Sequence, residues 1–67
     1  MFKNLEAELS RIGKSKKDLS NDTNIEYKTL LNKLSGRTPI NKKDMALIKR
    51  TYFPNMTIDY LFEEEGD

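Results

Sequence analysis

An all-α fold, a compact bundle of four to five short helices, is what this chain predicts, and three observations carry the prediction. Apolar residues recur at three- and four-residue spacing, the period of one helix face. Helix-starting residues (Ser15, Asn41 and Thr57) stand just ahead of amphipathic segments, and Gly13 and Gly36 stand just behind two others, as N-caps and C-terminal glycines do. No stretch alternates as a strand does, and there is no internal repeat or low-complexity tract.

The elements follow in order. Phe2, Leu5, Leu9 and Ile12 form one stripe of a first helix over 2–12, with Lys3, Glu6, Glu8 and Arg11 on the other face and Gly13 as the stop. Ser15 caps a second helix, and Asp18, three residues on, completes a capping box. This helix has about eight residues and one large apolar side chain, Leu19, so it needs clamping between neighbours. Asn24 ends it, because Asn tolerates the left-handed conformation of a tight turn. A third helix covers 26–35 and stops at Gly36. In "GRTPI", Pro39 restricts Thr38 to extended geometry. A fourth helix over 41–52 is capped by Asn41 and turns Met45, Ile48 and Tyr52 inward, with Ala46 and Leu47 beside them, before Pro54. A last short helix after Thr57 carries Ile58, Leu61 and Phe62. Residues 1–62 make the domain, and the acidic residues 63–67 a frayed tail.

Sixty-seven residues without cysteine or histidine give one small domain that neither disulfides nor the usual zinc sets can staple. The longest unbroken apolar run, "MALI", is far short of a membrane span, and no basic-then-apolar signal segment opens the chain. A cytoplasmic protein without a membrane partner is expected. The net charge of +1 hides an asymmetry: residues 1–53 hold all 12 Lys and Arg against six acids, whereas residues 54–67 hold five acids and no base. A basic body with an acidic tail suits a polyanion on one side; a solvated surface with spare lysines has the same composition.

Two short helices joined by a tight turn make a helix-turn-helix, the shape that inserts its second helix into a DNA groove. "KKDLSNDTNIEYKTLLNKLSG", residues 16–36, resembles the unit of the phage Cro/repressor family. Leu19 matches the apolar residue of the first helix, and Ser20 the small residue at the helix crossing. Asn24 matches the turn glycine, Ile25 the apolar residue after it, Leu30 the core residue of the recognition helix, and Gly36 its closing glycine. The likeness extends over most of the chain, and the endings "YFP" and "IDYLF" resemble those of small repressors of Gram-positive phages. There are four departures: Asn24 for Gly, Ser20 for Ala, Thr23 where an apolar residue is common, and Lys33 at a position usually buried.

The resemblance implies a lambda-repressor-like fold that binds a double-stranded DNA operator, with the helix over 26–35 in the major groove. By position, Glu26, Tyr27 and Lys28 would face base edges, with Leu31 and Asn32 further down the groove. Lys16 would touch phosphate, and Arg37 and Thr38 the backbone. Lys28 can donate to guanine O6 or N7, and Asn32 can read adenine. Lys16, Lys17, Arg37, Lys42 and Lys43 can neutralise phosphates, which positions a protein without reading sequence. Each also has a plain reading: Lys28 as a solvated lysine, Asn32 as exposed polar filler, Lys42 and Lys43 as the outer face of a helix. Glu26 can accept from cytosine N4 or complement the positive end of its helix, and we favour the second. Leu30 and Leu34 define the core direction. Tyr27 lies slightly off it as a boundary residue. Leu31 lies further off, where it packs on a neighbouring helix or meets a thymine methyl. A homodimer on DNA is expected of such regulators.

An enzyme is not indicated. Glu6 with Glu8 and the run Glu63–Glu65 read as solvated face and tail, and the glycines form no phosphate-cradling motif. No cofactor, metal or small-molecule substrate is implied. The competing reading is a small protein-binding module of the antirepressor or antitoxin type, gripping a partner through Leu31, Leu47, Tyr60 and Phe62. In so small a protein, Leu47, Tyr60 and Phe62 serve equally well as ordinary core.

Overall fold

The computed structural model describes residues 2–64. Within them the chain folds into five helices and no strand: α1 (Lys3–Arg11), α2 (Lys16–Thr23), α3 (Tyr27–Leu34), α4 (Lys42–Tyr52) and α5 (Ile58–Leu61). The all-α bundle that the sequence predicts is the fold that forms. Each helix contributes one fully buried side chain to a common centre: Leu5, Leu19, Leu30, Ile48 and Leu61. Burying each stabilises the fold by about 1.5–3 kcal/mol. Phe2, Leu9, Leu34, Phe53 and Phe62 close around them, and Ile25, Ile40, Met45, Tyr52, Met56 and Ile58 pack on the outside.

Helix ends carry the local chemistry expected of them. Ser15 and Asp18 form the full capping box: the Asp18 amide donates to the Ser15 hydroxyl oxygen at 3.1 Å and the Ser15 amide to the Asp18 carboxylate at 3.0 Å. Asn41 accepts from the Asp44 amide at 2.8 Å, and Thr57 from the Tyr60 amide at 3.0 Å. α1 and α3 close alike. Gly13 and Gly36 are left-handed (φ +71° and +87°), and the amides of Lys14 and Arg37 turn back to the carbonyls of Leu9 and Asn32, each at 2.9 Å. This pattern satisfies carbonyls that a helix end otherwise orphans.

Two expectations for α1 fail. Glu8, expected on the outer face, is only 4% exposed. It accepts a hydrogen bond from the Tyr60 hydroxyl at 2.8 Å and lies 3.7 Å from the Arg11 guanidinium. α5 folds over that side of α1, so the face is not an outer one. Ile12, expected in the stripe, is 45% exposed, because the helix ends at Arg11 and Ile12 becomes its C-cap. Glu63 and Glu64 are exposed; the remainder of the expected tail, residues 65–67, lies outside the described residues. Among the described residues no helix is long and apolar enough to cross a membrane.

Candidate functional site

The α2–turn–α3 unit is held by hydroxyl groups where apolar contacts are thin. Asn24 adopts φ +63°, ψ +21°, the left-handed geometry that lets the chain reverse. The Ser20 hydroxyl donates to the Ile25 carbonyl at 2.5 Å. The Ile25 amide donates to the Thr23 hydroxyl oxygen at 3.4 Å, and that hydroxyl donates to the Leu19 carbonyl at 2.7 Å. Ser20 and Thr23 thus act as one pair: they bind the carbonyl and the amide of half-buried Ile25, while Asn24 supplies only the left-handed geometry of the turn. Ser20 and Thr23 are both buried, and among the described residues every buried side-chain nitrogen and oxygen has a partner.

The fourth departure has a partner too. Lys33 is half-buried and its ammonium meets the Asp44 carboxylate, in the first turn of α4, at 2.5 Å. The pair ties α3 to α4 at a position that the sequence resemblance led one to expect as buried. Asp44 in turn sits at the positive end of its helix.

α3 presents three kinds of surface. Leu30 and Leu34 are buried, and Leu31 and Asn32 are half-buried. Glu26, Tyr27 and Lys28 are exposed, Tyr27 at 42%. Tyr27 is therefore no core residue, although it shares the helical spacing of Leu30 and Leu34. Glu26 is the N-cap residue, but its side chain caps no amide; it accepts from the Thr29 hydroxyl at 2.8 Å. As the N-cap residue it still places a negative charge beside the positive end of the helix.

The start of α2 and the start of α3 meet at a cleft of about 420 Å³. Glu6 and Ser10 of α1, Lys14 of the loop, Lys16 and Lys17 of α2, and Tyr27 of α3 line it. Lys16 is engaged there with Glu6 at 3.3 Å, each side chain about one-third exposed. Such a pair contributes about 0–1 kcal/mol. Lys14 also leans over the Tyr52 ring, 5.7 Å from its centre. At the far end of α3, Arg37 and Thr38 are exposed, and both their amides donate to the Asn32 carbonyl. Lys42 does not join the cleft. It borders a separate groove between α4 and α5, with Met45, Ile58, Asp59 and Phe62. Lys43 is exposed on the same turn.

The cleft brings together Lys16 and Lys17, expected from the sequence at phosphates, and Tyr27, expected at base edges, and adds Lys14 and Glu6, which the sequence reading did not assign to a site. Lys14 was legible in the run "KSKK". Glu6 carried no local signal, since its pairing with Lys16 depends on how α1 and α2 cross.

The cations divide by use. Arg11, Lys16 and Lys33 face carboxylates, Lys49 donates to the Pro54 carbonyl, and Lys14 covers an aromatic ring. Among the described residues Lys17, Lys28, Arg37, Lys42, Lys43 and Arg50 have no such partner. Lys17 is on α2, Lys28 in the first turn of α3 and Arg37 just beyond its end, whereas Lys42, Lys43 and Arg50 are on α4. The described residues hold no group of three His, Cys, Asp or Glu side chains arranged to hold a metal ion. No family model, curated protein or solved structure matches the chain.

Proposed function

We propose that this protein is a sequence-specific duplex-DNA-binding regulator, repressor-like, with α3 as its recognition helix. The observation that carries the reading is the division of the cations. Basic side chains elsewhere are mostly engaged within the molecule, whereas Lys17, Lys28, Arg37, Lys42 and Lys43 remain free for phosphate or base edges. Lys28 and Asn32 supply base-reading chemistry, and Tyr27 and Leu31 keep accessible surface beside them. A two-fold operator would be met by two copies, one per half-site. A regulator of this kind works where the DNA is, in the cytoplasm.

The protein-gripping alternative loses one of its four anchors: Phe62 is buried edge-on against Phe2, with ring centres 5.2 Å apart. The Tyr60 hydroxyl donates to Glu8, but the residue stays 40% exposed. Leu31 and Leu47 are half-buried.

The test is selection of bound fragments from genomic DNA, followed by a salt series on the winner. Affinity should fall steeply with salt, with a logarithmic slope of about −0.9 per phosphate neutralised. Within that assay Lys28→Ala should change the preferred sequence at a cost of about 1–3 kcal/mol. Arg37→Ala should weaken all sequences alike. A flat salt response, or no retained fragment, would sink the reading.

A further inference from the structure

We propose that Glu6 is an internal competitor for a DNA phosphodiester: it occupies the Lys16 ammonium in the α1–α2 cleft and thereby limits how tightly the protein holds any duplex. The inference rests on the DNA-binding reading and adds to it a residue that weakens binding. Four observations lead to it. Three lysines, Lys14, Lys16 and Lys17, line the cleft with a single acid, Glu6, and with Ser10 and Tyr27, and the Lys16 ammonium lies 3.3 Å from the Glu6 carboxylate. That is the composition of a phosphate subsite with one repulsive member. Lys16 is the only one of the cations named for phosphate contact that is already paired. The pair is solvent-exposed and 3.3 Å long, so the fold depends on it little and exchange is cheap. Tyr27, at the start of the recognition helix, lines the same cleft, so a strand passing α3 comes within reach of Lys16.

A phosphate oxygen at Lys16 must displace the Glu6 carboxylate or share the ammonium with it. Sharing brings two anions within a few ångströms, well inside the screening distance of about 8–10 Å at physiological salt. Either course weakens binding without touching a base. Glu6 therefore acts on all sequences equally, which lowers non-specific retention and leaves discrimination to α3.

The experiment compares the wild type with Glu6→Gln, Glu64→Gln and the double variant Glu6→Gln/Lys16→Ala. It uses fluorescence anisotropy on a mixed-sequence duplex over a salt series, with circular dichroism to confirm folding. Glu64 is exposed and outside the cleft, so its variant makes the same change in net charge without touching Lys16. Glu6→Gln should bind roughly two- to five-fold more tightly, the worth of an exposed ion pair, and steepen the salt slope by about one phosphate. Glu64→Gln should bind as the wild type does, and removing Lys16 should cancel the gain. Equal gains from Glu6→Gln and Glu64→Gln would reduce the effect to net charge and overturn the proposal alone. A gain that survives Lys16→Ala would overturn it as well. Binding by Glu6→Gln with none by the wild type would support the competitor role in its strongest form. Failure of both to bind any duplex overturns the DNA-binding reading and this inference together.

Discussion

The α1–α5 end of the molecule and the α2–α3 unit solve the same problem with different chemistry. Both anchor fully buried leucines, Leu5 and Leu61 in one and Leu19 and Leu30 in the other. Around that shared centre they diverge. The α1–α5 end adds large apolar area, Phe2 edge-on to Phe62, and ties its polar groups inward: Asn4 donates to the Tyr60 carbonyl at 2.9 Å and Tyr60 to Glu8. The α2–α3 unit has no aromatic pair and relies on a capping box and a hydroxyl-bonded turn. Short-range hydrogen bonds hold a turn without covering its outer face. Three of the six free cations, Lys17, Lys28 and Arg37, lie on or next to this unit, and the other three, Lys42, Lys43 and Arg50, belong to α4.

The contrast can be broken most directly at the aromatic end. Phe62→Ala should cost about 3–5 kcal/mol, seen as a lower midpoint in urea denaturation. At about 4–8 °C per kcal/mol for a domain this small, the thermal midpoint should fall by roughly 12–40 °C. A cost below about 1 kcal/mol would mean that the Phe2–Phe62 contact is not what holds that end.

The hydroxyl-bonded turn should be worth less per group. Ser20→Ala restores the small residue usual at this crossing but leaves the Ile25 carbonyl without its donor, at about 1 kcal/mol net. Thr23→Val should cost a similar amount. Because both hydroxyls bind the backbone of Ile25, the double variant should depart from additivity. Simple additivity of the two costs, measured by the same denaturation, would show that the turn is not one cooperative set.

The smallest effect belongs to the capping box. The Ser15 amide, with help from the Ser15 side chain, holds the Asp18 carboxyl below its ordinary value of 3.8. A depressed folded-state pKa gives stability that is present above the unfolded value and lost as pH falls through the folded one. Acid titration followed by circular dichroism should show that loss below about pH 3.8 in the wild type, and Asp18→Asn should remove this share of the acid dependence. The opposite sign holds at the other extreme. Desolvation, then the hydrogen bond to Asp22, pushes the Tyr52 hydroxyl up to about 12, so its contribution is present below pH 10 and disappears as pH rises through 12.

Much of the architecture was legible because it is local. Ser15 with Asp18, Asn24, Gly13 and Gly36, and the caps Asn41 and Thr57 act within a few residues of themselves, so spacing alone places them. The errors fall where a side chain answers to a distant element. Glu8 reads as outer face until α5 covers it with Tyr60, and Lys33 reads as a defect until Asp44 arrives from α4. Tyr27, read as a boundary residue, is 42% exposed and lines the cleft beside α1 and α2.

By itself the sequence determined the number of helices, most of their caps and the apolar stripes from which the core is drawn, because periodicity and capping are properties of neighbouring residues. Tertiary structure alone decided which charges are engaged and which stay free, because an ion pair such as Lys16 with Glu6 depends on the crossing of two helices and on distances of a few ångströms. The proposal of a DNA-binding regulator draws on both: the resemblance of residues 16–36 to a helix-turn-helix comes from the first, and the unpaired state of Lys17, Lys28 and Arg37 from the second.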